Sequence, residues 1–547
     1  MKEYIVKFKN LTCKNCEKEV KNALNSEHIE PIDLDYTDGT LKFKSSVKIT
    51  KEGLIAMLNS TKFDVEHFIS QPLSKKAPAI NESYDYDLLI IGSGSAAFSA
   101  AIKASDFSKK IAMVEKDTIG GTCVNVGCVP SKTLLRAAEI NNLANHHQFE
   151  GINTSGKLES LETLINQKNQ LVKNLRKKKY IDLIDKYNIH LIKGEARFLD
   201  KKTIMVNENI YSAKFILITT GATPFVPDIK GLSGVDYLTS TSLLNLKKIP
   251  ESLTIIGSGY VALELGQLFH LLGTKVTMLR RSSRLLKGYE PEVSEYVENM
   301  FKEQGITLIN NVTYHQVSQS DHSTNVYIEV DDVKQCIESE VLLIAAGRKA
   351  NTENLQLHKA GIQTDSLGNI AVDDFGKTSN DKVYAAGDVI GGPQFVYVAA
   401  YQGSLMVENM FNDKSRKMDL SSVPSVIFTS PSIATVGMTE DEAIRKEYQV
   451  KTTVLPLESV PRALVNHDTR GLIKVVIEKS STKLLGVQIV SDHAGEVIYP
   501  ATLAVKFGLT LNDLKDTMVP YLTMSEGLKL ALLSFDKKIE DLSCCAS

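Results

Sequence analysis

Six of the seven cysteines fall into close pairs, Cys13/Cys16, Cys123/Cys128 and Cys544/Cys545, and Cys336 stands alone. In a reducing compartment such pairs point to metal ligands or exchangeable dithiols rather than structural staples. The middle pair lies in Gly120-Gly-Thr-Cys-Val-Asn-Val-Gly-Cys-Val-Pro-Ser-Lys132. Cysteines at this spacing do not face each other on an ideal helix. A disulfide between them therefore needs a distorted turn, which Gly127 and Pro130 would supply. A strained, accessible disulfide has a raised potential and suits exchange, and a helix N-terminus favours the thiolates. The last pair is vicinal, in Leu542-Ser-Cys-Cys-Ala-Ser547, and offers two soft ligands to a soft, linearly coordinated cation. The first pair, in Leu11-Thr-Cys-Lys-Asn-Cys16, sits on a loop entering a predicted helix. Cys336 is expected to be a packing residue.

Two glycine fingerprints share Ile-Ile-Gly-Ser-Gly. In the first, a continuous apolar strand over residues 87–91 leads into Gly92, Gly94 and Ala97. Gly92 allows the tight turn, Gly94 lets backbone approach a pyrophosphate, and Ala97 permits close helix packing. The next strand ends in Glu115, placed to accept hydrogen bonds from a ribose. The second copy has Gly257, Gly259 and Ala262 after a strand at 253–256. Its following strand, 275–279, ends in Arg280 and Arg281, with Arg284 close behind. Guanidinium groups there suit a 2′-phosphate, so this site is expected to prefer NADPH over NADH. The alternative is that these arginines cap an exposed strand end.

These residues need several domains to carry them, and 547 residues exceed what one core accommodates. Lys plus Arg (63) and Asp plus Glu (65) nearly cancel, which leaves no electrostatic footprint for nucleic acid or an anionic membrane. No apolar run approaches the roughly 18 residues of a membrane helix, so no membrane insertion is expected. The first ten residues lack the apolar region of a secretion signal, and the expectation is a cytoplasmic protein. Residues 1–70 read as a small ferredoxin-like βαββαβ unit, and 71–83, with two prolines and no periodicity, as a linker. From residue 84 the texture is α/β: two Rossmann-like dinucleotide-binding domains, then an α+β domain from 423 that could carry a subunit interface. Arg176-Lys-Lys-Lys179 is expected to be the solvated face of a long polar helix.

On the cysteine segment, Thr219-Thr-Gly-Ala222, Ala345-Ala-Gly-Arg348 and Val383-Tyr-Ala-Ala-Gly-Asp388, residues 84–547 resemble the flavin-dependent disulfide reductases, such as glutathione reductase and dihydrolipoamide dehydrogenase. The resemblance implies an FAD-binding domain at 84–249 and 375–422, an NADPH-binding domain at 250–374 and a dimerisation domain at 423–547. It places Gly221 and Asp388 at the flavin and Tyr260 as the gate of the nicotinamide pocket. Lys132, four after Cys128, is expected to set its charge near the flavin with Glu264 as partner, the alternative being a surface lysine. It also implies that Cys128 lies nearest the flavin and that Cys123 is the more exposed thiol.

Two departures bear on the substrate. Disulfide reductases carry His-Pro-Thr-x-x-Glu near the C-terminus, where the His protonates the departing thiolate. This chain has Tyr521-Leu-Thr-Met-Ser-Glu526, and a phenol of pKa near 10 does not fill that role at neutral pH. With the Cys544/Cys545 tail, the substitution resembles the mercuric reductases. That resemblance implies two-electron reduction of thiol-bound Hg(II) to Hg(0) by NADPH and FAD. The tail would pass the ion to Cys123 and Cys128, with Tyr521 and Glu526 beside its path. In that family the tail serves the partner subunit, so a homodimer with a shared active site is expected. Residues 1–70 are similar to the heavy-metal-associated domain, with Cys13 and Cys16 as metal ligands. The competing readings are a thioredoxin reductase-like disulfide reductase and a flavoprotein that merely sequesters metal.

Overall fold

The computed structural model describes residues 2–8, 20, 23–24, 29–35, 39–58, 64–72, 84–412, 415–538 and 541. Cys13, Cys16, Cys544 and Cys545, and with them both outer thiol pairs, lie outside the described residues. The chain divides into two compact units, residues 1–83 and 84–547.

In the first unit Tyr4, Val6 and Phe8 alternate inward along the strand Lys2–Phe8, and Leu41 and Phe43 do so along Thr40–Ser45. Alternation at period two gives each strand one buried face. The antiparallel sheet runs Ile29–Asp35, Thr40–Ser45, Lys2–Phe8, Val65–Pro72 in spatial order. Helix Lys51–Leu58 adds Leu54 and Leu58 to the core. The Tyr4 ring stacks on Phe43 at 5.1 Å, and its hydroxyl accepts the Ile49 N–H.

The second unit holds three larger sheets. In the first, His190–Lys193, Ile111–Glu115, Tyr86–Ile91, Asn209–Ile218 and Val383–Ala385 lie parallel. Leu88, Leu89 and Ile90 are fully buried, as the unbroken apolar run requires of a strand covered on both faces. Helix Ser95–Ser105 packs on helix Val396–Phe411 through Gly403, where a Cβ would stand 2.1 Å from the Ala96 carbonyl oxygen. The second sheet is also parallel, in the order Leu238–Thr239, Val341–Ile344, Ser252–Ile256, Lys275–Leu279, Thr307–Ile309. A three-stranded antiparallel sheet, 313–339, accompanies it. The third large sheet is antiparallel, with strands between Ser425 and Ser491, covered by helices Ala494–Phe507 and Met524–Leu533. The fold is thus the α/β arrangement expected, closed by an α+β unit.

One local expectation is refined and one corrected. The polar helix does run through 174–180, with Lys177–Lys179 exposed as expected, but helix Leu161–Arg176 widens there into a π segment, Lys177–Ile181, and the Tyr180 ring lies edge-on to Phe98 at 5.0 Å. Cys336 is exposed on the strand Val333–Ser339, so it is not a packing residue.

Candidate active site

The first glycine turn is built by steric necessity. Gly92 has φ +109°, and a Cβ on it would stand 2.5 Å from the Thr219 carbonyl oxygen. A Cβ on Gly121, at φ +65°, would meet the Gly94 Cα at 2.7 Å, so the strand–helix turn and the redox helix touch through bare backbone. Ala97 is fully buried under helix Ser95–Ser105, whose N-terminal N–H groups face the turn. Glu115 ends its strand as expected. Its carboxylate accepts from the Ser93 hydroxyl and, at 2.7 Å, from the Asp117 N–H.

The cysteine segment forms two helices, Gly121–Val126 and Cys128–His146, interrupted at Gly127 (φ −121°, ψ −111°). The break that the spacing demanded falls on the glycine, and Pro130 lies within the first turn of the second helix, where a missing N–H is tolerated. Both cysteines are free thiols here. The hydrogen bond from the Cys123 thiol, followed by the charge of Lys132, brings Cys128 down to about 6 against the effect of burial. The same contact and burial push Cys123 well above the ordinary thiol range. Cys128 is therefore the thiolate of the pair. Both thiols open onto the cavity described below, Cys123 half-buried and Cys128 at its surface. Cys128 opens the second helix, whereas Cys123 is enclosed within the first.

Lys132, one turn after Cys128, pairs with Glu264 at 2.6 Å, as the sequence suggested. The other Glu264 oxygen accepts the Phe428 N–H at 3.0 Å, and the Lys132 ammonium lies 4.8 Å from the Phe428 ring centre. One carboxylate thus joins the redox helix, the helix Tyr260–Leu271 and the third sheet. A clamp that sequence reading missed holds the redox helix from the far side. Arg176 donates to the Asn125 side-chain oxygen at 3.1 Å, and the Asn125 amide donates to the Ile119 and Gly121 carbonyls, each at 2.9 Å. Arg176 is thereby taken out of the solvated face assigned to it.

A cavity of about 930 Å³ runs past these groups, at the upper end of what cofactor sites enclose. Its wall includes Gly92, Gly94, Glu115, Cys123, Cys128, Lys132, Gly221, Asp388 and, toward the second sheet, Tyr260 and Glu264. Gly221 has φ +67°. Burial raises the Asp388 carboxyl against the pull of Arg348, whose guanidinium lies 3.4 Å away. A glycine cradle that side chains would fill, an acid at the strand end and a second acid, Asp388, in the same wall together fit FAD.

The second glycine turn fits a second dinucleotide. Gly257 has φ +132°, and a Cβ there would stand 2.2 Å from the Ala345 carbonyl oxygen. Gly259 opens onto free space at the start of helix Tyr260–Leu271. Here one expectation fails. The Arg280 N–H donates to the Ile309 carbonyl, so the residue continues the strand and its side chain turns inward. There its guanidinium, 2% exposed, pairs with Glu298 and donates to the Ser283 carbonyl. A buried, neutralised arginine is not available to a ribose phosphate. Arg281 is exposed and Arg284 is half-buried at the same strand end.

Tyr521 and Glu526 lie apart from the cavity wall. Tyr521 is 52% exposed, and Glu526 accepts the Leu522 N–H at 3.2 Å, fixing the turn that carries the tyrosine. Among the described residues no helix is long and apolar enough to cross a membrane.

Residues 86–403 match the family model for pyridine nucleotide-disulphide oxidoreductases, and residues 423–532 match that for the family's dimerisation domain. The chain is 52% identical over 546 residues to the mercuric reductase of Lysinibacillus sphaericus, covering 100% of both proteins. It is 52% identical to that of Staphylococcus aureus over 99% of both, and 50% identical to that of Bacillus cereus over 100% of this chain and 87% of the relative. Among solved structures it is similar to the HOCl-induced flavoprotein disulfide reductase RclA from Escherichia coli, at TM-score 0.75 and 30% identity, covering 83% of this chain and 100% of that one.

Proposed function

The chain belongs to the mercuric reductases of the pyridine nucleotide-disulphide oxidoreductase family, with NADPH and FAD as cofactors and Hg(II) as substrate, and on that premise we propose that Cys123 and Cys128 are the thiols that hold the ion while it is reduced to Hg(0). The observation that carries this is the placement of both thiols in the wall of one cavity, between the first glycine turn and the first residues of helix Tyr260–Leu271. FAD, when bound, supplies two-electron chemistry, taking hydride from NADPH and making the electron pair available to the thiol-held ion. Gly92, Gly94, Ala97, Glu115, Gly221 and Asp388 hold the dinucleotide and its flavin end, and Lys132 sets a positive charge beside Cys128. Gly257 and Gly259 seat NADPH, Arg281 and Arg284 read its 2′-phosphate, and Tyr260 guards the nicotinamide side.

The substrate arrives as a complex with two small thiols. Cys128, already a thiolate, displaces one of them with no proton to lose, and Cys123 displaces the second, its proton passing to the departing thiolate. Both thiols release the metal once two electrons have reached it, since Hg(0) has no charge for a thiolate to bind. Cys544 and Cys545 deliver the ion by the same exchange, and Cys13 and Cys16 collect it. The dimerisation domain makes the protein a homodimer. In that dimer Tyr521 of one subunit stands beside the ion's path into the other, held in place by Glu526.

NADPH consumption under excess small thiol tests the assignment. Hg(II) should stimulate it and oxidised thioredoxin should not, and the reverse result overturns it. Replacing Cys544 and Cys545 together by Ala should slow turnover of thiol-bound Hg(II) at least about tenfold, the effect of losing one good ligand contact. A fully active variant removes the hand-off.

A further inference from the structure

Tyr260 begins the helix Tyr260–Leu271 and lines the cavity on the side of the second glycine turn. Its ring lies between two others, Tyr289 edge-on at 6.2 Å and Phe395 stacked at 6.1 Å. The Tyr260 hydroxyl accepts a hydrogen bond from the Tyr289 hydroxyl at 2.7 Å. Each phenol oxygen also lies 3.2 Å from the Ser425 hydroxyl. Three hydroxyls at these separations close into a ring in which each donates once and accepts once: Tyr289 to Tyr260, Tyr260 to Ser425, Ser425 back to Tyr289. In such a ring each bond polarises the next.

The three residues come from separate segments. Tyr289 precedes helix Pro291–Glu303, and Ser425 opens the strand Ser425–Ile427 of the third sheet. Both are 5% exposed, whereas Tyr260 is only half-buried. The two buried hydroxyls are thus fixed points, and the Tyr260 ring is the member with room to leave.

We propose that Tyr289 and Ser425 are positioning residues that latch the Tyr260 ring across the nicotinamide side of the cavity, so that NADPH enters only when the hydroxyl ring opens. The latch rests on the reading of Tyr260 as guard of that side. A ligand that binds only the open state has its affinity lowered by the open fraction, so loosening the latch tightens apparent binding. Removing one hydroxyl of ordinary hydrogen-bond strength changes the open fraction by between about 2-fold and about 10-fold.

Tyr289→Phe keeps the ring packing and deletes only the hydroxyl, and Ser425→Ala removes the third member. In the FAD-loaded dimer, titration calorimetry with NADP+ should show each variant binding about 2-fold to about 10-fold tighter. The double variant should gain little more than either, because both act on one latch. KM for NADPH should fall by the same factor with kcat unchanged, a split that general loosening of the fold would not produce. Unchanged or weaker NADP+ binding in both single variants overturns the latch. Tyr260→Ala separates the two readings. If it alters NADP+ binding while Tyr289→Phe and Ser425→Ala do not, the guard stands and the latch falls. If Tyr260→Ala also leaves binding unchanged, the guard falls and takes the latch with it.

Discussion

At the scale of single residues, the site depends on which of two thiols is ionised. Cys128 receives the hydrogen bond, has Lys132 nearby, and starts a helix, while Cys123 keeps its proton. The folded protein holds Cys128 at about 6, below the ordinary thiol value, so the anionic form persists down to that pH and is lost as pH falls through it. The rate of iodoacetamide alkylation of Cys128, followed by peptide mass analysis, should therefore have its midpoint near pH 6. Lys132→Met should move that midpoint upward, because Glu264 then faces the thiolate unopposed. A midpoint that stays put would show that Lys132 does not act on Cys128. Arg176 is the second residue to test. Its hydrogen bond to Asn125 is charge-assisted, so Arg176→Met should cost about 1.5–3 kcal/mol in thermal or denaturant unfolding.

At the scale of elements, glycines decide how closely helices and strands approach. Gly403 lets helix Val396–Phe411 lie directly on Ser95–Ser105, the helix whose N-terminus faces the first nucleotide turn. Gly403→Ala would set a methyl 2.1 Å from a backbone oxygen, which no rotamer relieves. The helices must part, at a cost of about 1–3 kcal/mol for overpacking. The variant should lose FAD on gel filtration, read as flavin absorbance per chain, before it loses its fold. Gly257→Ala combines a clash at 2.2 Å with φ +132°, so NADP+ binding should be lost while bound FAD remains. The glycines of both fingerprints were legible from spacing. Gly403 was not, because its partner is Ala96, remote in sequence, and no local pattern marks a helix crossing. The end of the second nucleotide strand shows the same limit. Arg280 and Arg281 look equivalent in sequence, but strand alternation turns one toward Glu298 and leaves the other in solvent.

At the scale of the whole molecule, the second nucleotide sheet is joined to the third sheet through a buried lysine. Lys474, 2% exposed, reaches Glu292 at 2.8 Å and Glu440 at 3.3 Å. Burial pushes the neighbouring Glu290 carboxyl upward, and that carboxyl accepts the Glu440 N–H at 2.6 Å. Lys474→Met would leave three carboxylates near one another, with Arg284 still acting on Glu292. Glu292 and Glu440 are partly exposed and rehydrate when the ammonium is lost, so the cost falls below about 3–5 kcal/mol, the figure for a fully buried pair. The sign with pH comes from the repulsion. Without Lys474 the Glu290 carboxyl, already raised by burial, rises further, and Glu292, which the ammonium helps hold below the ordinary range, rises too, so the variant's folded state binds more protons and regains stability as pH falls through them. The Tm deficit of the variant holoenzyme should be larger at pH 8 than at pH 5. An equal deficit at both would show that the carboxylates do not couple.

The sequence by itself determined the two nucleotide turns, the thiol pair with its break at Gly127, the Lys132–Glu264 partnership and the unit built on a ferredoxin-like sheet. All but the Lys132–Glu264 pair, whose members stand 132 positions apart, are written in short-range spacing, where strand period, glycine freedom and helix geometry act over a few residues. Tertiary structure alone decided which cysteine is the thiolate and which arginine faces solvent. It also decided that Arg176 serves the redox helix and that Tyr289 and Ser425 meet Tyr260. Those outcomes turn on desolvation and on hydrogen bonds between residues 29 to 165 positions apart, where only the folded chain sets the distance.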